Sequence, residues 1–198
     1  SNNSIRNRTE HEESMKRLRR MILTEGIPSD EHLTPSKSTY RSVVWKLLLD
    51  IRQLPISPYL ELVSKGKSPV HDKVRNDTFR TLATDQGFKE KVKEEKLIRL
   101  LEAFVWKFHG VHPVYDFSYV QGMNVLAAPF LYTLPTELEA FHCFSRFIET
   151  CCPLYVQPTL EGVHRGLKLV DTCLELADAQ LYSYLRSKNL SAEIYAFP

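Results

Sequence analysis

The chain has 198 residues, of which 43% are hydrophobic and 25% charged, with a net charge of only +2. That is enough apolar material for one buried core, and too little positive charge for the electrostatic footprint that duplex nucleic acid demands. No run of about 18 apolar residues appears and the N-terminus is polar, so neither a helical membrane span nor a secretory leader is expected, and a cytoplasmic protein is.

In chain order, residues 1–37 read as an N-terminal extension carrying a first amphipathic helix. Met15, Leu18 and Ile22 fall at helical spacing, with Lys16, Arg17, Arg19 and Arg20 on its solvated side. The same basic cluster also suits an acidic lipid or partner. Ser38 is the expected cap of a helix bearing Tyr40, Val44, Leu47, Leu48 and Ile51, which Pro55 and Pro58 end. The stretch 64–77, with Gly66, Pro69 and no apolar face, reads as a surface loop. A charged run at 89–96 leads into the stripe Leu97, Leu101, Phe104, Val105 and Phe108, and a bend is expected at 110–117. Pro129 limits how far a helix continues after the stretch 119–124. Leu138, Phe141, Phe144, Phe147 and Ile148 mark a helix after Pro135. Leu160, Val163, Leu167, Val170, Leu174, Ala177, Leu181 and Tyr184 then give the longest stripe, expected to be one buried helix face. No strand alternation occurs, so the fold class expected is all-α.

Cys143, Cys151, Cys152 and Cys173 show no zinc or thioredoxin-like spacing and read as reduced core thiols. His109 and His112 are three apart, but Gly110 and Pro113 make that stretch a turn and no further ligand lies nearby. No metal site is expected.

Two polar stretches interrupt the apolar pattern: 75–81, ending near Arg80, and 119–124, around Gln121. An arginine and a glutamine are what GTP hydrolysis uses. A guanidinium stabilises charge on the transferring phosphoryl group, and a carboxamide orients the attacking water. Asp77, one helical turn before Arg80, is placed to hold the guanidinium by a charge-assisted hydrogen bond. Gly122 removes a side chain beside Gln121 and lets backbone or ligand approach. Taken singly, an arginine three residues after an aspartate reads as an ordinary surface ion pair, and Gln-Gly as a plain turn.

Joined in order, these residues resemble a known family. Arg41, Trp45 and Leu48 match the R-x-x-x-W-x-x-L opening motif of TBC domains, helical GTPase-activating modules that act mainly on Rab GTPases. Val74, Asp77 and Arg80 are similar to their I-x-x-D-x-x-R arginine-finger motif, with valine for isoleucine. Tyr119, Gln121, Gly122 and Asn124 match the Y-x-Q-G-x-N glutamine-finger motif. The resemblance runs from about residue 38 to the end. The sequence around 76–85 and 192–198 looks most like the fungal cell-cycle-arrest branch, whose members restrain mitotic exit or septation at the spindle pole body, generally as half of a two-component activator.

The resemblance implies a TBC-type helical domain over 38–198, comprising the N-terminal lobe and the start of a C-terminal lobe that is incomplete at its C-terminal end. It implies Arg80 and Gln121 as catalytic groups supplied in trans, with Asp77, Tyr119, Gly122 and Asn124 supporting them, and Trp45 packed in the core. Such a protein is an enzyme activator with no cofactor of its own, GTP and Mg²⁺ being carried by the partner GTPase. The implied partners are a Ras- or Rab-like small GTPase in its GTP-bound state and a helper subunit, with recruitment to the spindle pole body. The alternative is a catalytically silent TBC-fold adaptor that binds a GTPase or checkpoint scaffold.

Overall fold

The computed structural model describes residues 2–30, 38–81, 85–110 and 118–197, among which there are eleven α-helices and no strand. The bend expected at 110–117 lies almost wholly outside the described residues, as does His112. Helix α1 (Asn2–Glu25) has Met15, Leu18 and Ile22 half-buried on one face and its basic cluster in solvent. Helix α2 (Tyr40–Leu48) is capped by Thr39 rather than Ser38. The Thr39 hydroxyl accepts the Ser42 N–H at 3.1 Å, and the Ser42 hydroxyl donates to the Thr39 carbonyl at 2.8 Å. Both residues have capping chemistry, so only the helix register decides between them.

Contrary to expectation, Pro55 and Pro58 do not end α2, which stops at Leu48 with Leu49 as its C-cap and Asp50 at φ +52°, leaving Ile51 outside it. The two prolines open α3 (Ile56–Ser64), with Pro55 at its N-cap and Pro58 in the first turn, where a missing N–H has no intrahelical bond to lose. Nor is 64–77 one loop, for only 65–70 is. The remainder belongs to α4 (His71–Arg80), which buries just Val74 and Thr78 and so leaves almost no periodic signal. After the short α5 (Gln86–Lys91), capped by Asp85, comes α6 (Glu94–Phe108), with Glu94 and Glu95 in its first turn and Lys107 in its last, complementing the helix dipole.

Helix α6 is the axis of the core. Leu97, Leu100, Leu101, Phe104 and Phe108 are buried along it, and α3, α4, α7 (Met123–Thr133) and α8 (Glu137–Cys151) pack around it. Phe104 and Phe130 each meet Phe144, at centroid distances of 5.2 and 5.9 Å, and half-buried Trp45 sets its ring edge against Phe130 at 5.2 Å. Trp45 thus seats α2 on α7, and Lys46 adds an ion pair to Glu139 of α8. Helix α7 continues past Pro129, expected to limit it, and ends four residues later at Thr133. Pro129 is on its exposed side while Ala127, Ala128, Phe130 and Leu131 are buried, and that burial outweighs the lost hydrogen bond.

The long stripe beginning at Leu160 is two helices, α9 (Glu161–Ala177) and α10 (Ala179–Ser187), because the Asp178 carboxylate accepts the Leu181 N–H at 2.9 Å and restarts the helix. Its apolar residues are mostly not buried: Leu167 is, Val163 and Leu174 are partly so, and Val170, Leu181 and Tyr184 are exposed. Helix α11 (Ala192–Tyr195) lies against α9, where the Tyr195 hydroxyl donates to Asp171 at 3.1 Å. The thiols also depart from expectation. Cys143 is buried, Cys152 half-buried, and Cys151 and Cys173 are exposed, all four free of disulfides. No described helix is long and apolar enough to cross a membrane.

Candidate functional site

Arg80 is the last residue of α4, and Gln121 stands in the turn that opens α7, yet both line one cleft of about 590 Å³. Two attachments hold α4 in place. At its start, the nearly buried Glu102 of α6 accepts the Ser68 N–H at 2.7 Å and the His71 Nδ1 at 2.6 Å, while Trp106 Nε1 donates to the Gly66 carbonyl at 2.9 Å. The loop before α4 is therefore pinned to the core helix.

At its end, Asp77 is the hub. One carboxylate oxygen accepts from Arg80 Nη2 at 3.0 Å and the other from the Tyr119 hydroxyl at 2.9 Å. The Asp77 backbone carbonyl accepts from Asn124 Nδ2 at 3.2 Å and from the Thr81 hydroxyl at 3.0 Å. Asn124 Nδ2 also donates to Thr81 Oγ1 at 2.8 Å, and its Oδ1 lies 3.4 Å from the Tyr119 hydroxyl. Tyr119 and Asn124 are both only 6% exposed, so these bonds satisfy groups that water cannot reach. Burial first, and the adjacent Asp77 carboxylate second, push the Tyr119 phenol well above its ordinary range and keep it a hydrogen-bond donor. The motif residues at 77, 119 and 124 thus tie the arginine helix to the glutamine turn.

The two candidate side chains remain available. The Arg80 side chain is 69% exposed against 12% for Asp77, so one guanidinium nitrogen is anchored while other N–H groups face solvent. Gln121 is exposed, and Gly122 after it has φ of +97°, a left-handed conformation that L side chains rarely adopt. An added Cβ at Gly122 would meet nothing within 4 Å, so the glycine is required by backbone conformation rather than by a close approach. Gly122 also accepts the Val125 and Leu126 N–H groups at 3.1 and 3.2 Å, starting α7 directly behind the glutamine. Arg75 is exposed on α4 and does not line the cleft.

Arg41 is exposed, whereas Trp45 and half-buried Leu48 face α7 and α1, so the opening motif serves packing on the far side of α7. Sequence reasoning missed the cleft's opposite wall, formed by Tyr155, Leu160, Val163 and Phe197. Tyr155 is seated on α9: a Cβ at Gly162 would fall 2.7 Å from its ring and 2.8 Å from the Leu154 backbone, and one at Gly166 3.1 Å from its hydroxyl. The four-residue glycine spacing was the available signal. Thr81 was missed as well, although it directly follows Arg80. Among the described residues, no group of three His, Cys, Asp or Glu side chains is arranged to hold a metal ion.

Residues 38–198 match the family model of the Rab-GTPase-TBC domain. The chain is 45% identical over 184 residues to Cell division control protein 16 of Schizosaccharomyces pombe, an alignment covering 93% of this chain and 58% of that protein. It is 36% identical over 196 residues to the mitotic check point protein BUB2 of Saccharomyces cerevisiae, covering 93% and 63%. With TBC1 domain family member 2A of Homo sapiens it shares 27% identity over 187 residues, 90% of this chain and 18% of that protein. The expected likeness to fungal cell-cycle relatives is thus present, and the chain spans less than two-thirds of the length of those relatives.

Proposed function

Because this chain belongs to the Rab-GTPase-TBC domain family, we propose that it accelerates GTP hydrolysis by a small Ras-superfamily GTPase, supplying Arg80 and Gln121 in trans. The observation that carries this reading is that an anchored yet exposed guanidinium and an exposed carboxamide line one cleft, joined through Asp77. Arg80 enters the GTPase active site and neutralises charge developing on the transferring phosphoryl oxygens, a contribution of about 10³–10⁵-fold for fingers of this kind. That corresponds to about 4–7 kcal/mol of transition-state stabilisation. The Gln121 amide, donor and acceptor at once, orients the hydrolytic water. GTP and its Mg²⁺ arrive with the GTPase. Asp77 biases Arg80 toward one orientation before the partner arrives, which trims the side-chain freedom lost on docking.

The names of the cell-division and mitotic check point relatives favour a GTPase of the cell-division cycle as the substrate. A helper subunit and recruitment to the spindle pole body belong to the same proposal. A second reading, a silent adaptor, is favoured by one observation: the Arg80–Asp77 contact has the geometry of an ordinary surface ion pair.

Single-turnover phosphate release separates the two. The test uses a panel of GTP-loaded Rab and cell-division GTPases with the full chain, Arg80→Ala and Gln121→Ala. The proposal expects acceleration that both substitutions abolish while binding to the GTP-loaded partner persists. A GTPase that binds but hydrolyses at its intrinsic rate overturns it in favour of the adaptor.

A further inference from the structure

We infer that Phe79 is the docking anchor for the GTPase, an aromatic side chain that sets affinity for the partner beside the arginine that sets rate. The inference rests on the GTPase-activating reading of Arg80 and adds to it the chemistry of the surface that the partner must present. Phe79 is 75% exposed, and among the described residues no aromatic ring is more so. The fold does not need it there. Helix α4 turns Val74 and Thr78 to the core, and Phe79 falls on the opposite side with Arg75 and Asn76 one turn behind. A ring of this size in water is an unfavourable exposure that burial against a partner relieves.

What names the occupant is continuity with the cleft. Phe79 and Arg80 are consecutive in the last turn of α4, so their Cα atoms lie about 3.8 Å apart and their side chains leave the axis about 100° apart. Arg80 is the ridge between two depressions: the cleft shared with Gln121, and a smaller one of about 440 Å³ that it lines together with Phe79 over Phe88, Val92 and Leu97, with Lys89, Lys93, Glu94 and Glu95 also in its lining. A body whose nucleotide is reached by Arg80 must therefore cover the end of α4, and Phe79 with it. The partner surface that fits is an apolar patch directly beside the nucleotide. Such a patch discriminates between GTPases, because a charged or polar residue seated on the ring would give up water for a group that offers it no hydrogen bond.

The experiment compares the full chain with Phe79→Ala, Phe79→Leu and Arg80→Ala against the same GTPase panel. Two quantities are read: affinity for each GTPase loaded with GTPγS, and the chain concentration giving half-maximal phosphate release from GTP. Phe79→Ala is expected to raise both the dissociation constant and the half-maximal concentration about tenfold or more, leaving the maximal rate within about twofold. Phe79→Leu recovers most of the loss. Arg80→Ala does the reverse, losing rate and keeping affinity. Circular dichroism and thermal melting of Phe79→Ala should match the wild type, since the ring is outside the core.

Unchanged affinity and half-maximal concentration in Phe79→Ala overturn the inference even if the wild type is a potent activator. If the wild type binds a GTPase without accelerating it and Phe79→Ala still weakens that binding tenfold, the anchor stands and the activating reading falls. A chain that binds no GTPase of the panel overturns both. Self-association that Phe79→Ala abolishes, with GTPase affinity unaltered, reassigns the surface to a second copy and also overturns the inference.

Discussion

Replacing Asp77 with alanine is the sharpest test of the hub that joins the two halves of the site. The substitution removes the acceptor of Arg80 Nη2 and of the Tyr119 hydroxyl, and spares the backbone carbonyl that receives Asn124 and Thr81. The Arg80 pair is largely in water on the arginine side, so its loss costs about 0.5 kcal/mol after solvent screening. The Tyr119 hydroxyl, in a residue only 6% exposed, keeps just a 3.4 Å contact with Asn124, and stranding it costs about 1–3 kcal/mol. The total of about 1.5–3.5 kcal/mol lowers the melting temperature by about 3–14 °C for a chain of this length. Asp77→Asn keeps an acceptor for the phenol and should cost about 1 kcal/mol. Urea unfolding followed by circular dichroism measures each loss, and a cycle with Tyr119→Phe isolates the shared term. Asp77→Ala should be cheaper by about 1–2 kcal/mol when the phenol is already gone. A coupling below about 0.5 kcal/mol refutes the reasoning, because the carboxylate and the phenol would then be independent.

Two further outcomes follow from packing and burial. Gly162→Ala places a methyl group 2.7 Å from the Tyr155 ring and 2.8 Å from the Leu154 backbone, so the cleft wall must shift. A loss of about 1–3 kcal/mol with unchanged helicity is expected, and thermal melting indistinguishable from wild type refutes it. Burial pushes the Cys143 thiol up to about 12 and the Cys152 thiol up to about 11, so neither carries appreciable thiolate at pH 8 in the folded chain. Alkylation of the native protein should mark exposed Cys151 and Cys173 and reach Cys143 only on unfolding, whereas equal labelling of Cys143 and Cys173 refutes the burial.

How much of this was legible in the sequence depended on how many residues each helix buries. Helices α6 and α8 present long buried stripes, and Leu97, Phe104, Phe144 and Ile148 announced them. Helices α3, α4 and α5 bury one or two residues each, and the side-chain bonds that fasten the first two, Glu137 to Tyr59 of α3 and Glu102 to Ser68 and His71 at the start of α4, are encoded by no periodicity. The stripe at 160–184 misled in the opposite sense, its regular spacing hiding a capping aspartate at 178 and a face that mostly meets solvent. In the site, Asp77, Tyr119 and Asn124 were legible as motif letters, but their mutual bonds span 42 and 47 positions of chain and required the fold. The wall carrying Tyr155 had no chemical signature beyond two glycines.

Helix α6 packs against both α4 and α7, and at the cleft these two helices also touch each other. Closing a loop of about 42 residues between Asp77 and Tyr119 costs about 3 kcal/mol of chain entropy, which only the packed core can offset. The two sides of the cleft are therefore held together by the same packing that buries α6. A substitution that loosens α6 is thus expected to weaken the cleft as well as the core.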